Sequence, residues 1–428
     1  MIADVVSITG PRPLRGRRRV PGDKGMSHRA LLFGAFAGGE TVLTGLGPGD
    51  DVARTRDALS SLGVAITGDG DRATVSGRGI DALHAPDTAI DCGNSGTTMR
   101  MLAGVVAGRP FPTVLTGDES LVARPMARVV NPLRAMGAEI EAAEGGRAPL
   151  VIRGQPLTGR RIALEQASGQ VKTAVVLAGL QARGTTEVVE PAPSRDHTER
   201  MLVALDAPLQ RIDDRTVRVT QGRPRPFELE LPGDPSSAAF LVVAAAITPG
   251  SDLVLEHVLL NPGRIEFVEV LRRMGATIEV EPREERLGEP VGTISVRAAP
   301  LHGERVACHE PIIDEVPALA VAAAFADGVT EFHDGAELRV KESDRIGSVL
   351  ELVTALGVGA EPRADGLVVR GGTPQPATFR SHGDHRIALA AAVAANAAPG
   401  TSTVEGWSAV AVSYPRFLDE LEAIVAER

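Results

Sequence analysis

One short pattern recurs six times along the chain and constrains the fold more than any other feature. Each copy has a small residue, an Asp, Asn or Ser, a few polar residues, an Ala/Leu/Val-rich run, a Gly and a β-rich run. Successive copies lie roughly 65 to 80 residues apart, which is typical of a repeated structural unit. The copies are Pro21–Ala30, Cys92–Arg100, Ala167–Lys172, Pro232–Ser237, Ile313–Pro317 and His382–Arg386. The sequence therefore predicts one unit used six times.

The polar residue early in each copy predicts the start of a helix. Asp, Asn and Ser side chains accept the first free backbone N–H groups of a helix, and a proline such as Pro235 is tolerated at the first helical position. The runs that follow, such as 30–37 and 238–247, are apolar on almost every face, as is typical of helices buried on all sides. The predicted caps are Asp23, Asn94, Ser168, Asp234, Asp314 and Asp384.

A second, amphipathic helix is predicted in each unit, and its clearest copies end in Leu-Gly or Met-Gly. These stops are Gly63, Gly137, Gly275 and Gly357. An arginine recurs near the start of this element, as Arg54, Arg124, Arg195, Arg264, Arg345 and Arg416. For Arg54, Arg264 and Arg416 we expect only a solvated first turn.

Length and composition limit the class of protein. At 428 residues the chain is too long for a single core and suits two domains. No apolar run is long enough to cross a bilayer, and the first residues lack a signal-peptide pattern, so we expect a cytoplasmic protein with no membrane partner. Cys92 and Cys308 have no metal-ligand spacing and are expected to be packed thiols.

The charge balance argues against nucleic acid as a partner. The net charge is −10, and the chain has only one Trp and one Tyr, so neither phosphate neutralisation nor base stacking is favoured. Small anions remain possible, because local charge can oppose the overall balance. The expected ligand is therefore small and polar.

Proline and glycine at 21–22 and 232–233 mark two crossings of the chain between domains. The prediction is one discontinuous domain of three units, residues 1–20 plus 233–428, and a second domain of three units, residues 21–232. If the units of a domain surround a pseudo-threefold axis, their capped helix starts point the same way and favour an anion. Basic side chains lie in the same loops: Lys24, Arg29, Arg100, Arg124, Lys172, Lys341, Arg345 and Arg386.

Seven motifs in one order carry a specific resemblance. They are PGDKGMSHRALL, GNSGTTMRML, SGQVKTAVVLAGL, GDPSSAAF, IDEVPALAVAAAFADG, LRVKESDRI and HGDHRIALAAAVA. Together they resemble the 3-phosphoshikimate 1-carboxyvinyltransferase (EPSP synthase) family over nearly the whole chain, and most closely its second bacterial class.

The resemblance implies an α/β enolpyruvyl transferase fold of two similar domains, each of three βαββαβ units around a pseudo-threefold axis, with the active site in the cleft between them. It implies transfer of the enolpyruvyl group of phosphoenolpyruvate to the 5-hydroxyl of shikimate 3-phosphate, with release of phosphate. It implies no metal and no organic cofactor, and we expect a monomer. The reaction needs an acid for the methylene carbon, a base for the hydroxyl and cations for two polyanions.

The motifs assign roles by similarity, residue by residue. Asp314 matches the base at the 5-hydroxyl and Glu342 the acid, with Lys24 also in the catalytic group. The residues that match the phosphoenolpyruvate site are Lys24, Gly96, Arg124, Gln170, Arg345 and Arg386. Those that match the shikimate 3-phosphate site are Lys24, Arg29, Ser168, Gln170, Ser194, Asp314 and Lys341. Gly96 also leaves the room found in members sensitive to glyphosate.

Two other functions remain open at this point. One is enolpyruvyl transfer to UDP-N-acetylglucosamine, whose family usually has a Cys before the loop arginine, where this chain reads GDESLVARPM. The other is an anion-binding protein without turnover, which the presence of Lys24, Asp314 and Glu342 disfavours. Gly25 departs from the pattern, because the family usually has a Ser there that contacts the shikimate moiety.

Overall fold

The computed structural model describes residues 2–425 and divides the chain into two compact units. The terminal unit, which includes the first and last described residues, contains the chain up to Pro21, Pro232–Glu284 and the described chain from Pro290 onward. The central unit contains Gly22–Leu231 and the short stretch Glu285–Glu289. The sheets of the described residues are six in number.

The chain begins with two strands of the terminal unit, β1 (Val5–Gly10) and β2 (Arg15–Arg18). The elements of the central unit follow in chain order: α1 (Lys24–Phe36), β3 (Gly38–Thr44), α2 (Asp50–Ser61), β4 (Ala65–Thr67), β5 (Ala73–Arg78), β6 (Ile90–Asp91), α3 (Gly96–Val106), β7 (Pro112–Thr116), α4 (Glu119–Val122), α5 (Ala127–Ala135), β8 (Glu139–Ala143), β9 (Arg147–Arg153), β10 (Arg161–Ala163), α6 (Gly169–Gly179), β11 (Thr185–Val189), α7 (His197–Ala204), β12 (Leu209–Arg211), β13 (Thr216–Thr220) and β14 (Glu228–Glu230).

The remaining elements belong to the terminal unit, apart from the hairpin tip at 285–289: α8 (Pro235–Ile247), β15 (Asp252–Leu259), α9 (Glu266–Arg273), β16 (Thr277–Arg286), β17 (Glu289–Arg297), β18 (Arg305–Ala307), α10 (Val316–Ala324), β19 (Val329–His333), α11 (Arg345–Ala355), β20 (Gly359–Arg363), β21 (Gly366–Arg370), β22 (Thr378–Arg380), α12 (His385–Ala397), β23 (Gly400–Glu405) and α13 (Phe417–Ile424). Short 3-10 helices span Ile80–Ala82, Ala336–Val340 and Trp407–Val412.

The sheets repeat one topology, in which a parallel pair is extended by an antiparallel hairpin. In the sheet ordered β6-β7-β9-β8, β6 pairs with β7 in parallel, and β9 is antiparallel to both of its neighbours. The helix α3 makes the crossover between the parallel strands, as a parallel connection requires. The sheets ordered β10-β11-β13-β12, β14-β3-β5-β4 and β18-β19-β21-β20 follow the same pattern.

This topology confirms the α/β fold of repeated units and corrects the order of elements within a unit. In the units that run from β6 to β9, from β10 to β13 and from β18 to β21, the chain order is strand, helix, strand, helix, strand, strand, where the resemblance led us to expect βαββαβ. The physical reason is that the two helices serve the two non-hairpin connections. The last two strands, such as β8 and β9, are joined by a tight antiparallel turn that needs no helix.

The helices that follow the recurring pattern form the core of each unit. All thirteen residues of α8 are buried, which confirms the expectation from its apolar run. In the central unit α3 packs closely on α6, because a Cβ added at Gly104 would lie 2.1 Å from the carbonyl oxygen of Ala174. Small side chains therefore allow these helices to approach each other backbone to backbone.

Four of the predicted caps are confirmed, and two are displaced by one residue. The side chains of Asp23, Ser168, Asp234 and Asp384 each accept a backbone N–H in the first turn of α1, α6, α8 and α12. The cap of α3 is Ser95, which accepts the N–H of Thr98, because the side chain of Asn94 is bonded to Asp118 and Arg124. The residue preceding α10 is Glu315, since the carboxylate of Asp314 is ion-paired with Arg345.

The recurring arginines differ more than the sequence predicted. Arg416 is exposed, as expected, whereas Arg54 is half-buried and its Nη1 donates to Asp91 Oδ2 at 3.0 Å. The prediction for Arg264 was wrong, because this side chain is buried and its Nη2 donates to Asp234 Oδ1 at 3.0 Å and to Ser236 Oγ at 3.2 Å. A guanidinium thus stabilises the cap of α8 from within the terminal unit.

The predicted stops and the thiols are confirmed. Each glycine after an amphipathic helix has a positive φ, at Gly63, Gly137, Gly275 and Gly357. Cys92 and Cys308 are free and buried, and burial raises the pKa of each thiol to about 12. Between residues 2 and 425, the structure has no helix with the length and apolarity needed to span a bilayer.

Candidate active site

Four of the predicted site residues of the central unit, Lys24, Gly96, Ser168 and Gln170, lie at the starts of α1, α3 and α6. Lys24 is the first residue of α1, and its Nζ donates to Asp51 Oδ2 of α2 at 2.9 Å. Asp51 was not predicted, although it lies in the acidic first turn of α2, where a carboxylate is favoured by the helix dipole. The predicted cation is therefore held by a neighbouring helix start.

Arg29 is buried and joins three helices of the central unit. Its Nε donates to Thr198 Oγ1 at 2.7 Å, its Nη2 to Thr173 Oγ1 at 2.9 Å and its Nη1 to the Gly25 carbonyl at 2.9 Å. Burial lowers the pKa of Arg29 to about 10, partly offset by the carboxylates Glu199 and Asp23. Arg29 is therefore still charged at neutral pH, and it fixes α1 against α6 and α7.

A buried hydrogen-bonded chain connects α1, α2 and α3, and sequence reasoning did not find it. His28 Nδ1 lies 2.6 Å from Thr55 Oγ1, which lies 2.7 Å from Thr98 Oγ1. Burial, together with the cations Lys24 and Arg29, lowers the pKa of His28 to about 3, so the imidazole is neutral at neutral pH. Apart from the motif that contains His28, nothing in the sequence predicted this hydrogen-bonded chain.

Gly96, Arg124 and Gln170 are brought together around the start of α3. A Cβ added at Gly96 would lie 3.1 Å from Arg100 Nη1 and 3.5 Å from Arg124 Nη1. Arg124 Nη2 donates to Asn94 Oδ1 at 2.9 Å, and Arg100 Nη1 donates to Gln170 Oε1 at 2.6 Å. Two guanidinium groups thus flank the start of α3, where Gly96 has no side chain to fill the space. This is a suitable environment for an anion.

Ser168 and Ser194 share one acceptor, Glu190. Glu190 Oε1 accepts the backbone N–H of Ser168 at 3.1 Å and the hydroxyl of Ser194 at 2.6 Å. Lys172, which the sequence grouped with the candidate ligand-binding cations, is buried instead and ion-paired with Glu190 and Glu199, each at 2.7 Å. Burial acts to lower the pKa of Lys172, but the two carboxylates raise it above its ordinary value.

The predicted site residues of the terminal unit meet around the guanidinium of Arg345. Arg345 Nη2 donates to Glu342 Oε2 at 2.6 Å, Nη1 to Asp314 Oδ1 at 3.2 Å and Nε to Asp384 Oδ2 at 2.8 Å. Lys341 Nζ lies 3.7 Å from Asp314 Oδ1, and Arg386 Nη1 donates to the Asp314 carbonyl at 2.9 Å. Asp314, Lys341, Glu342, Arg345 and Arg386 therefore form one cluster, with Asp384 as an additional member.

Charge is nearly balanced within this cluster. Burial acts to lower the pKa of Arg345, but Asp384, Glu342 and Asp314 together raise it above its ordinary value. Burial acts in the opposite direction on Asp384, whose pKa is nonetheless lowered by Arg345. Because three carboxylates contact this guanidinium, an anionic ligand that approaches Arg345 competes with them. Glu342 and Asp314 are 22% and 17% exposed, whereas Asp384 is fully buried.

Among residues 2–425, no group of three or more His, Cys, Asp or Glu side chains is arranged to hold a metal ion. The terminal unit offers cations and two partly exposed carboxylates, and the central unit offers cations beside helix starts. Side chains of these kinds can bind polyanions and exchange protons with them.

Comparison with known proteins extends these observations to the whole chain. A family model for EPSP synthase (3-phosphoshikimate 1-carboxyvinyltransferase) matches residues 8–421. The 3-phosphoshikimate 1-carboxyvinyltransferase of Alkalilimnicola ehrlichii is 50% identical over 416 residues, covering 95% of this chain and 92% of the relative. The solved EPSP synthase of Acinetobacter baumannii is 40% identical with a TM-score of 0.89, covering 99% of this chain and 98% of that one.

A more distant structure shares the fold. The enolpyruvyl transferase NikO of Streptomyces tendae is 19% identical with a TM-score of 0.79, covering 99% of this chain and 98% of the other. This likeness extends the architecture alone to a second kind of enolpyruvyl transferase. The family model and the relatives near half identity show that the chain belongs to the EPSP synthase (3-phosphoshikimate 1-carboxyvinyltransferase) family.

Proposed function

We propose that Asp314 and Glu342 are the base and the acid of the enolpyruvyl transfer that this chain catalyses. The chain is a transferase of aromatic amino acid biosynthesis, which moves the enolpyruvyl group of phosphoenolpyruvate to the 5-hydroxyl of shikimate 3-phosphate and releases phosphate. The single observation that carries the assignment is the cluster around Arg345, where two partly exposed carboxylates share one buried guanidinium.

Asp314 is suited to accept the hydroxyl proton. Lys341 Nζ, Arg345 Nη1 and Arg386 Nη2 lie 3.7, 3.2 and 3.7 Å from its carboxylate oxygens, and neighbouring positive charges favour the ionised carboxylate. An ionised carboxylate within reach of the hydroxyl can act as a general base. The same cations would also bind the anionic carboxylate and phosphate groups of the substrates.

Glu342 must instead donate a proton to the methylene carbon. Its carboxylate faces Arg345 at 2.6 Å, an environment that favours the charged form. A ligand carboxylate or phosphate that takes its place at Arg345 would remove this stabilisation and allow Glu342 to bind a proton. Acid function therefore depends on bound phosphoenolpyruvate.

The remaining roles follow the motifs. We propose that phosphoenolpyruvate is bound by Lys24, Gly96, Arg124, Gln170, Arg345 and Arg386, and shikimate 3-phosphate by Lys24, Arg29, Ser168, Gln170, Ser194, Asp314 and Lys341. Because one reaction needs donor and acceptor together, we propose that these residues act in a single active site. The side chains at the helix starts of the central unit support this proposal, since they combine cations with hydrogen-bond donors.

The acceptor and the residue roles are tested by phosphate release. Purified protein is mixed with phosphoenolpyruvate and either shikimate 3-phosphate or UDP-N-acetylglucosamine, and Asp314→Asn is assayed beside the unaltered protein. We expect release only with shikimate 3-phosphate and a loss on the order of 10² or more in kcat for Asp314→Asn. Release with UDP-N-acetylglucosamine, or a variant with unchanged kcat, would contradict the proposal.

We also propose that the enzyme is a monomer of the cytoplasm, which is typical of the family together with inhibition by glyphosate. Two buried free thiols suit a reducing compartment. Light scattering after gel filtration measures the mass against 44.6 kDa. Fractionation of the source cells measures the location, and recovery with a membrane or secreted fraction would oppose it.

A further inference from the structure

Arg100 and Gln170 lie on the neighbouring helices α3 and α6 and contact each other through their side chains. Arg100 Nη1 donates to Gln170 Oε1 at 2.6 Å, a short contact for a charge-assisted hydrogen bond. The other end of the same amide is also held, because Gln170 Nε2 donates to Thr97 Oγ1 at 2.9 Å. Both ends of the amide are therefore fixed within the central unit.

The contact determines which way the amide faces. A guanidinium has donors and no acceptor, so only the carbonyl oxygen of Gln170 can face Arg100. The NH₂ group then points the other way, and only one of its two hydrogens is used by Thr97. The contacts with Arg100 and Thr97 also fix the orientation of the second N–H, which can donate to a ligand.

We propose that Arg100 is a positioning residue, which orients Gln170 so that an N–H and not a carbonyl oxygen faces the anionic substrates. The inference rests on the proposed role of Gln170 in binding phosphoenolpyruvate and shikimate 3-phosphate. Phosphates and carboxylates accept hydrogen bonds, so a flipped amide would present an oxygen to an oxyanion. Arg100 thus acts through Gln170.

Gly96 protects this contact. A Cβ at position 96 would lie 3.1 Å from Arg100 Nη1, closer than most real Cβ contacts, so the guanidinium would have to shift. The shift would act on the atom that holds Gln170. The absence of a side chain at this helix start therefore leaves space for an anion and also keeps Arg100 in place.

The test is a double-mutant cycle read as kcat/KM for phosphoenolpyruvate at saturating shikimate 3-phosphate. The variants are Arg100→Met, Gln170→Ala and the two combined. Loss of one charge-assisted hydrogen bond should lower kcat/KM about tenfold in each single variant. If Arg100 acts through Gln170, the combined variant also falls about tenfold, because Arg100 has no amide left to orient.

Two more variants separate positioning from charge and from folding. Arg100→Lys keeps a side chain that only donates, so it should recover most of the lost kcat/KM. Gln170→Glu places an oxygen where the amide N–H was, while its carboxylate can still pair with Arg100, so it should fall below Gln170→Ala. This second variant keeps the test decisive if thermal melting shows Arg100→Met to be misfolded.

The outcomes divide as follows. A combined loss near one hundredfold would mean that Arg100 contributes independently of Gln170, and it would overturn the inference. An unchanged kcat/KM in Arg100→Met would also overturn it. So would a kcat/KM of Gln170→Glu that is higher than that of Gln170→Ala. Absence of turnover in the unaltered protein would instead refute the proposed function. A shared tenfold loss with recovery by Arg100→Lys supports the positioning role.

Discussion

Replacing Glu342 by glutamine separates two effects of this side chain. The carboxylate holds Arg345 at 2.6 Å in the free protein, and it is the proposed acid. Glutamine has nearly the same shape but can neither compete as an anion nor donate the proton. We therefore expect phosphoenolpyruvate to bind more tightly while turnover collapses.

The size of each effect follows from the geometry. A hydrogen bond to a charged group is worth about 1.5 to 3 kcal/mol and a neutral one about 0.5 to 1.5 kcal/mol. Glu342 is 22% exposed whereas Arg345 is 1% exposed, so solvent screens part of the difference. A net change of about 1 kcal/mol corresponds to roughly fivefold tighter binding of phosphoenolpyruvate. Loss of a general acid lowers kcat by about 10² to 10⁴.

The assay is phosphate release over a range of phosphoenolpyruvate concentrations, with the dissociation constant measured separately by calorimetry. Glu337→Gln is the matched control, because it removes the same charge from the same segment. Its carboxylate is exposed and makes only a long ion pair, 3.9 Å from Lys341 Nζ. It should leave kcat within about twofold, as is usual for an exposed ion pair. Unchanged kcat in Glu342→Gln, or weaker binding of phosphoenolpyruvate, would refute the reasoning.

Three further predictions follow from single residues. Arg124→Ala should raise KM for phosphoenolpyruvate about tenfold or more, for the loss of about 1.5 to 3 kcal/mol, and unchanged saturation kinetics would remove Arg124 from the site. Burial lowers the pKa of His28 from 6.5 to about 3. Below pH 6.5 the unfolded chain therefore binds a proton that the folded chain does not. As the pH falls, the free energy of unfolding should decrease by at most about 1.4 kcal/mol per pH unit. Urea unfolding between pH 7 and 5 should show a flatter dependence for His28→Gln, and equal slopes would contradict the assignment. Gly25→Ser should lower KM for shikimate 3-phosphate about two- to tenfold, because the added hydroxyl can make one more hydrogen bond. A Cβ added at position 25 would lie 3.2 Å from Asp23 Oδ1, so only a small shift is needed. A higher KM would contradict this contact.

Repetition made most of the fold predictable from the sequence. The recurring cap and apolar run are local signals, and they located the starts of α1, α6, α8 and α12. The order of strands within a unit was less accessible, because hairpins such as β8 and β9 are decided by pairing partners and not by local propensity.

The candidate site was predictable in its cations and less so in their partners. Lys24, Arg124 and Arg345 follow from the motifs, whereas the roles of Asp51 and Glu190 and the burial of Arg264 depend on tertiary contacts with residues more than twenty positions away. Asn94 and Asp314 show the same limit, since each could cap a helix locally but is bonded to an arginine instead. Tertiary pairing thus overrode local capping at these two residues.

The central claim, acid–base transfer through a protonated methylene carbon, is tested most directly by running the reaction in deuterium oxide. If an acid adds a proton to the methylene carbon of phosphoenolpyruvate and a proton is removed again when phosphate leaves, mass spectrometry of the product should find deuterium in the enolpyruvyl group. Product formed at the normal rate with only hydrogen at that carbon would contradict the account.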